Sequence, residues 1–352
     1  MRRFLLVSAL LAAAALVALV PGRSASGGGR AERGTHSGRA LAPAEAKSYA
    51  AVWTLRAPGW IDANGKPAKL PKKLGAGGAA YDAKRARCVL YGCGLFNRKR
   101  NDLWAYDAKA DAWTCLQAHE PEPEADARPA PYFPGGVASL AFSYDAGRDL
   151  YRLLAGNPLH LWSYSPEARA WKKGPPVTLK GAPARDALVL GYHPGTKSLV
   201  TQYGFLDAKT GKVENIAPQP AGRLFYGWRP SSALASGSFA RPDASGRFLA
   251  FGEFVRGGEA AAPHTWSFDP AAGAWSRLEA ANAPPGRAQG NLVHHAGLDV
   301  WVLFGGQVRE EKKKRRLADT WIYAPHLGAW MEVTPGRSPA QGGTIWYDAA
   351  GG

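Results

Sequence analysis

The chain has 352 residues but only three cysteines, Cys88, Cys93 and Cys115. Three cysteines allow at most one internal disulfide, and no CxxC pair or cysteine–histidine ligand spacing suggests a zinc site. The chain also lacks a GxSxG nucleophile elbow, an HExxH motif and a glycine-rich loop for phosphate. The sequence therefore gives no sign of a catalytic centre, and we expect neither a bound metal nor another cofactor.

Acidic residues are scarce compared with basic ones. There are 28 Asp and Glu against 44 Lys and Arg, which gives a formal net charge of +16. A surplus of this size draws a protein toward anionic partners such as lipid headgroups, acidic glycans or acidic proteins. The alternative is that the charge serves only to keep the protein in solution.

A long hydrophobic run occurs at the amino end, from Phe4 to Val20. It follows Arg2 and Arg3, precedes the small residues of segment 24–26, and is short for a membrane span, which needs about 20 apolar residues. This pattern predicts a secretory signal peptide over residues 1–26, with a retained anchor helix as the alternative.

The rest of the chain divides into two parts. Residues 27–48 are rich in Gly, Ala and Arg without periodicity, which predicts a disordered linker before a folded domain at 49–352. Export would place that domain in the periplasm, on the cell surface or outside the cell. Such a location disfavours nucleic acid as a partner. Contact with a membrane is expected only through the signal segment, if it is not cleaved.

Tryptophan and glycine are abundant, and the tryptophans recur at a fixed spacing. Four pairs lie nine residues apart: Trp104 and Trp113, Trp162 and Trp171, Trp266 and Trp275, and Trp321 and Trp330. An aromatic residue follows the first Trp of each pair by two positions: Tyr106, Tyr164, Phe268 and Tyr323. Four copies of one spacing mark a repeated supersecondary unit, in which the Trp side chains serve packing.

The unit is clearest over residues 76–116. Its four short runs, AGGAAYD, RCVLYGCG, NDLWAYD and WTCL, are separated by turn residues. Val, Leu, Tyr and Trp suit a pleated, half-buried surface, so each run predicts a strand. Asp107 closes the third run, where its carboxylate can accept hydrogen bonds from the turn backbone.

The unit resembles the kelch repeat. The resemblance consists of a glycine pair after a hydrophobic run, an aromatic strand ending in Tyr-Asp, and a Trp six residues after that Asp. The last copy matches in VWVLFGG (300–306), DTWIY (319–323) and Trp330. The resemblance implies an all-β propeller, similar in its repeats to the central domain of galactose oxidase.

Aligning the copies predicts about six four-stranded blades. Val213 and Trp53 fill two further Trp slots, and the first strands are marked by Tyr81, Tyr144, Tyr192, Phe239, His294 and Tyr347. Trp53 precedes every first strand and Tyr347 follows every last strand, so the sixth blade is shared between the two ends. Closing the ring in this way removes an open sheet edge. The repeats lack its two middle strands, so we expect either a missing hairpin or a thin closing blade.

Loops on one face of such a propeller are the candidate binding site. Connections between second and third strands, and between one blade and the next, open on the same face, where proteins of the kelch family generally bind ligands. Two of these connections, 95–102 and 307–319, are strongly basic. Their candidate residues for an anionic partner are Arg98, Arg100, Lys313 and Arg315. The alternative is that these charge runs are solvated loop tips.

Two further groups of residues are candidates on that face. Tyr132, Phe133, Tyr226 and Trp228 lie between blades and could stack on sugar rings or apolar side chains, or else plug the channel. Arg185, Arg287 and Gln289 precede inner strands, where an Arg fork suits a carboxylate or phosphate. The alternative for these three is a structural network of hydrogen bonds.

We expect a binding protein for a protein or carbohydrate ligand rather than an enzyme. Kelch-like propellers include copper radical oxidases, which need two Tyr, two His and a Cys crosslinked to a Tyr, and sialic acid mutarotases. All three cysteines here fall in one well-formed repeat, which disfavours the oxidase. A mutarotase would need few residues, and Arg185, Arg287 and His294 keep that alternative open.

Overall fold

The structure is a computed structural model. It describes residues 2–7, 14–21, 49–56, 59–62, 64–67, 78–93, 100–118, 142–155, 158–180, 182–183, 189–213, 225–227, 233–235, 238–239, 245–252, 263–287, 290–310, 313–334 and 344–347. All regular structure in these ranges is β. Nothing in them is a helix with the length and apolar character needed to cross a membrane.

The first repeat forms one blade. The amino-terminal strands are β1 (Arg2–Val7), β2 (Ala14–Pro21), β3 (Tyr49–Arg56) and β4 (Gly59–Ile61). They are followed by β5 (Gly78–Asp82), β6 (Arg87–Cys93), β7 (Arg100–Asp107) and β8 (Ala112–Gln117). Strands β5 to β8 pair antiparallel in chain order, and β4 joins β8 in parallel. The four strands predicted for this unit are confirmed.

The second repeat is complete and the third is thin. The second blade contains β9 (Phe142–Asp145), β10 (Leu150–Ala155), β11 (His160–Ser165) and β12 (Ala170–Pro176). Next come β13 (Thr178–Leu179), β14 (Ala182–Pro183), β15 (Val189–His193), β16 (Ser198–Thr201), β17 (Gly204–Leu206) and β18 (Lys212–Val213). Strands β15 to β17 form a three-stranded sheet, while β18 pairs in parallel with β13.

The remaining repeats give two complete blades. After β19 (Phe225–Gly227) and β20 (Ala233–Ala235), which pair with each other, come β21 (Ser238–Phe239), β22 (Phe248–Phe251), β23 (Thr265–Asp269) and β24 (Ala274–Leu278). The last full repeat contains β25 (Asn291–His295), β26 (Val300–Glu310), β27 (Lys313–Ala324) and β28 (Ala329–Glu332), and β29 (Thr344–Tyr347) ends the series. Each of the two sheets is antiparallel in chain order.

The closing sheet joins the two ends of the chain, as predicted. Its strand order is β29, β1, β2, β3, so the repeats supply only the two outer strands. The middle positions, which the repeats leave unfilled, are taken by the hairpin of β1 and β2. Those two strands come from the segment predicted to be a signal peptide, and that prediction stays a prediction.

The blades form a β-propeller, because their first strands stand side by side in a ring. Strand β9 contacts β5 and β15, β25 contacts β21 and β29, and β29 contacts β5. Among the described residues five sheets have four or more strands, which corrects the expected count of about six blades. The third repeat is not counted as a four-stranded blade, because β18, which carries Val213, pairs outside the sheet of β15 to β17.

The hydrophobic core lies between successive blades. Apolar residues of blades one and two pack together, and the same holds between the later blades. Residues of the last full blade pack with Ile345 and Tyr347 of the closing sheet. Side chains alternate across each strand, so each sheet presents one apolar face to each neighbour.

The nine-residue Trp spacing has a direct geometric cause. The aromatic residue two positions after the first Trp lies opposite the second Trp across the outer hairpin. The ring centroids of these pairs are 5.1 Å apart for Tyr106 and Trp113, 5.3 Å for Tyr164 and Trp171, 4.6 Å for Phe268 and Trp275, and 5.3 Å for Tyr323 and Trp330. Trp113 and Trp330 are fully buried. The repeat therefore carries a cross-strand aromatic pair, a stabilising element of sheets.

Candidate functional site

The propeller has two faces with different chemistry. We call the face that carries the turns between first and second strands and between third and fourth strands the turn face. The face that carries the other connections is the loop face. Asp107 on the turn face accepts hydrogen bonds from the backbone nitrogens of Lys109 and Ala110, at 2.7 and 3.1 Å. Asp207 and Asp269 repeat this bond pattern in later blades.

Ion pairs on the turn face join blade one to blade two. Arg85 donates two hydrogen bonds to Asp149, from Nη1 to Oδ1 at 2.6 Å and from Nη2 to Oδ2 at 2.8 Å. Its Nη1 also reaches Asp82 Oδ2 at 3.1 Å. Arg85 thus joins carboxylates of two blades, and the two-pronged geometry fixes their relative position.

Asp82 is the buried centre of this network. It is completely buried and accepts a hydrogen bond of 2.5 Å from the hydroxyl of Tyr151, which belongs to blade two. Arg87 donates to the same hydroxyl at 2.9 Å and lies 3.4 Å from the Asp82 carboxylate. Asp145 takes the matching position in blade two, where Arg152 donates to it from Nε and Nη2 at 3.1 and 3.0 Å.

The network shifts the pKa values of its members. The hydrogen bond from Arg85 holds the pKa of Asp149 well below its usual value, although burial acts in the opposite direction. Burial first, and then the hydrogen bond to Asp82, raise the pKa of Tyr151. Burial and the hydrogen bond to Asp149 do the same for Tyr144. At neutral pH Asp149 is therefore ionised and the phenols of Tyr144 and Tyr151 are protonated, which fits the hydrogen bonds that they make.

Close contacts continue around the turn face. A Cβ added at Gly147 would lie 2.3 Å from the hydroxyl oxygen of Tyr192, which belongs to the next blade. One added at Gly246 would lie 2.0 Å from His193 Nε2, again across a blade boundary. This face is consequently packed and bonded from blade to blade.

The loop face carries a long hairpin made of β26 and β27. Pairing continues through Gly306 and Leu317, Gln307 and Arg316, Val308 and Arg315, Arg309 and Lys314, and Glu310 and Lys313. In blade one the corresponding bulge is followed by the pair Cys93 and Arg100, and residues 94–99 lie outside the described residues. The sequence predicted a loop over 307–319, and that prediction was wrong, since most of the segment is paired strand.

Glycine makes the bulge at the base of the hairpin. The register shifts between Phe304 and Gly306, where Gly305 and Gly306 have φ values of 62° and 107°. These angles lie in the region that favours glycine, and a glycine bulge bends a strand and re-aims it. Beyond the bulge the hairpin extends past the blade by four residue steps, or about 13 Å.

Arg287 holds the base of the hairpin. It is fully buried, and its Nη1 donates to Gly305 O on β26 at 2.9 Å and to Asp319 Oδ1 on β27 at 2.6 Å. Its Nη2 donates to Asp319 Oδ2 at 2.8 Å, and its Nε donates to Pro285 O at 3.1 Å. Arg287 therefore takes the structural role that the sequence left open as an alternative to ligand binding.

Asp319 is the partner that sequence reasoning missed. Burial acts to raise its pKa, but the hydrogen bonds and charge of Arg287 outweigh burial and leave the pKa below its usual value. Asp319 also accepts a hydrogen bond from Trp321 Nε1 at 2.8 Å. Asp102 accepts the same bond from Trp104 at 2.6 Å. An Asp two residues before the first Trp was thus a signal in the sequence.

Only some of the other predicted site residues are among those that the structure describes. Arg98, Tyr132, Phe133, Arg185, Trp228 and Gln289 lie outside the described residues. Arg100 lies at the start of β7, Tyr226 in β19 and Lys313 at the start of β27. Arg315 is exposed on the hairpin. The structure therefore places Lys313 and Arg315 on one hairpin, with Arg287 at its base.

His294 is placed on the turn face. Its Nε2 lies 3.0 Å from Asp299 Oδ1 within the turn of its own blade, the position that the pair of Tyr144 and Asp149 occupies in blade two. Within the ranges described above, no three His, Cys, Asp or Glu side chains are placed to hold a metal ion.

Comparisons with known proteins show similarity to solved structures but not to a protein family. No protein-family model and no curated protein matches the chain. The chain is similar in structure to a fungal alcohol oxidase of the AA5 family in complex with copper, with a TM-score of 0.49 and 14% sequence identity. The similarity covers 96% of this chain and 65% of that one. The strand pairing and the ring of first strands show the β-propeller.

Proposed function

We propose that this chain is an exported kelch-repeat propeller that acts as a binding scaffold through its loop face. The observation that carries the proposal is the hairpin of β26 and β27, which extends beyond its blade and exposes Arg315 and Arg316. A rigid framework that presents a charged, projecting element is a common way to build a binding surface.

The contrast between the two faces supports this choice of surface. On the turn face the charged groups Arg85, Asp82 and Asp149 are bonded to one another across a blade boundary. On the loop face Arg315 and Arg316 are exposed on the hairpin, beyond the bulge at its base. Tyr132, Phe133, Tyr226 and Trp228 would then add aromatic contacts to a carbohydrate or protein ligand from the same face.

The alternative is a propeller enzyme that acts on carbohydrates, similar to a mutarotase. Two of the residues it would use are engaged elsewhere, since Arg287 is bonded to Asp319 and Gly305, and His294 bonds Asp299 on the turn face. Of the three candidates, only Arg185 would be left for such a reaction.

A paired binding and turnover assay tests the proposal. The purified chain is applied to an array of neutral and acidic glycans and acidic peptides at physiological salt, and the sugars are then followed by NMR for interconversion of their anomers. We expect saturable binding to an acidic class and no acceleration of interconversion. Accelerated interconversion, or no binding to any class, would contradict a binding scaffold.

A further inference from the structure

The fourth strand of each repeat lies at the rim of the propeller, and three of these strands carry an added segment. Strand β4 pairs in parallel with β8, and β13 pairs in parallel with β18. Beside β28, the backbone nitrogen of Trp330 donates to Ala281 O at 2.9 Å, and the nitrogen of Ala281 donates to Gly328 O at 3.0 Å. Each added segment follows the outer strand of the preceding blade. The rim thus accepts an extended chain in parallel at several places.

Strands β12 and β24 have no such neighbour among the described residues. Each is the outermost strand in the order of its sheet. No position of either strand is buried, whereas Ala329, Trp330 and Met331 of β28 are buried. An unpaired edge presents backbone N–H and C=O groups that can bond a further strand. The two strands are therefore open positions on the rim.

The two open strands differ in charge. In β24, Arg277 Nε lies 3.6 Å from Glu279 Oε1, so the only cation of that strand has a carboxylate beside it. In β12, Lys172 and Lys173 are exposed, and neither forms an ion pair with any residue that the structure describes. Lys173 Nζ lies 5.9 Å from the ring centroid of Trp162, a cation–aromatic contact that leaves its charge in place. Of the two strands, β12 alone combines an open edge with unbalanced positive charge.

The two lysines lie on opposite faces of blade two. Lys172 pairs with Ser163 and Lys173 with Trp162, and successive residues of a strand point to opposite faces. A strand added to β12 would lie about 4.8 Å away, with its own successive side chains beside these two. Two consecutive acidic residues would then meet one lysine each, and opposite charges on paired strands are favourable. The edge therefore fits an acidic strand.

The lysines also argue against a second copy of this chain as the partner. Two β12 edges that met would place lysines beside lysines, and like charges opposite each other are unfavourable. Lysine on an exposed edge is a common protection against self-association. In the turn before β12, the exposed Glu167 and Arg169 offset each other in charge, so the positive excess comes from the two lysines.

We propose that the β12 edge binds an extended acidic segment of a partner protein. The segment adds to blade two as a fifth strand, parallel to β12, with two consecutive acidic residues beside Lys172 and Lys173. Backbone donors of the edge come only from residues 170–174, because Pro175 and Pro176 have no N–H. This site lies on the rim, so it goes beyond the proposed function of the loop face and does not depend on it.

A peptide-binding assay on the intact chain tests the proposal. The probe is a fluorescent peptide with blocked ends, Thr-Val-Thr-Glu-Glu-Val-Thr-Val. K172Q/K173Q removes both lysines of the edge. K109Q/K209Q is the matched control, because it removes two exposed lysines from turns between third and fourth strands and leaves the same net charge. A peptide with N-methylated backbone nitrogens keeps the glutamates but lacks the donors for strand pairing.

We expect the acidic peptide to bind the unmodified chain saturably and K172Q/K173Q to weaken it about 10-fold or more. The control variant should change affinity by no more than about 3-fold, the effect of lost long-range attraction alone. The methylated peptide should not bind. Carbodiimide coupling of carboxylates to amines, read by mass spectrometry, should join the first glutamate to Lys172 and the second to Lys173. The reverse order would contradict the parallel orientation. Circular dichroism verifies that both variants fold.

Four results would overturn the proposal. They are equal losses in the two lysine variants, undiminished binding of the methylated peptide, no binding of the acidic peptide, and dimerisation of the unmodified chain that K172Q/K173Q abolishes. A glycan that binds equally well to K172Q/K173Q and to the unmodified protein leaves the proposed scaffold function standing, so the two proposals can fail separately.

Discussion

The turn face and the loop face use the same pair of residue types for different purposes. On the turn face, Arg85 grips Asp149 with two hydrogen bonds and joins one blade to the next. On the loop face, Arg287 grips Asp319 in the same way but joins two strands of a single blade. The pair on the turn face fixes two neighbouring blades to each other, whereas the pair on the loop face supports the hairpin of β26 and β27. Similar geometry thus serves assembly on one face and display on the other.

The largest loss of stability should come from removing Asp82, the buried centre of the hydrogen-bond network on the turn face. Asp82→Ala would leave the Tyr151 hydroxyl and two arginines without their shared acceptor, and we expect a loss of about 3 kcal/mol or more in the free energy of unfolding. Urea denaturation measures this. Asp107→Ala is the control, since it removes an exposed turn carboxylate and should cost only about 1 kcal/mol. Equal losses would show that Asp82 is not the centre of the turn face.

Removing the ion pair at the base of the hairpin on the loop face should cost less free energy of unfolding. Arg287→Met leaves Asp319 charged without its partner, but the side chain of Asp319 is 20% exposed and water can partly replace the bonds. We expect a loss of about 2 to 3 kcal/mol by urea denaturation. The double variant R287M/D319N should recover part of it, because the unpaired charge is gone. A double variant less stable than R287M would contradict this explanation.

A smaller effect should follow from disturbing the contact between blades two and three. A Cβ at Gly147 would lie 2.3 Å from the hydroxyl oxygen of Tyr192, so Gly147→Ala must displace that ring. Overpacking of this kind costs about 1 to 3 kcal/mol, measurable as a lowered melting temperature. Removing the hydroxyl in G147A/Y192F should restore much of the loss. No recovery would mean that the strain lies elsewhere.

Acid should weaken the bridge at the base of the hairpin. The pKa of Asp319 is lower in the folded protein than the ordinary value of 3.8, so the unfolded chain binds this proton more readily. The stabilisation is therefore fully present above pH 3.8 and is lost as the pH falls through the folded pKa. The difference in unfolding free energy between the unmodified protein and Asp319→Asn should shrink below that pH. A difference that grows on acidification would contradict the sign of the shift.

The sequence predicted the propeller because its signals are local. The Trp spacing corresponds to residues directly opposed across one hairpin, as with Tyr106 and Trp113. Asp107 and its turn bonds span only three residues. Patterns of this range can be read from the chain without knowledge of distant contacts.

The candidate site was harder to predict because its contacts are longer in range. Arg287 is polar and precedes an inner strand, and nothing near it in the sequence shows that Asp319, 32 residues on, takes its guanidinium. The sequence predicts a loop over 307–319, because runs of charged residues are typical of solvated segments. Its pairing with β26 depends on the bulge at Gly305 and Gly306, which sets the register beyond the blade.

The most direct test of the account measures stability and heparin affinity together in one variant from each face. R315Q/R316Q alters the hairpin, where both side chains are exposed, and K84Q/R85Q alters the turn face, where both residues bond Asp149. We expect the hairpin variant to lose about 10-fold in affinity with little change in unfolding free energy, since its residues lie beyond the packed blade. The turn-face variant should lose about 2 kcal/mol of stability and keep its affinity. The two variants have equal net charge. An equal loss of affinity in both would contradict the division of roles between the turn face and the loop face.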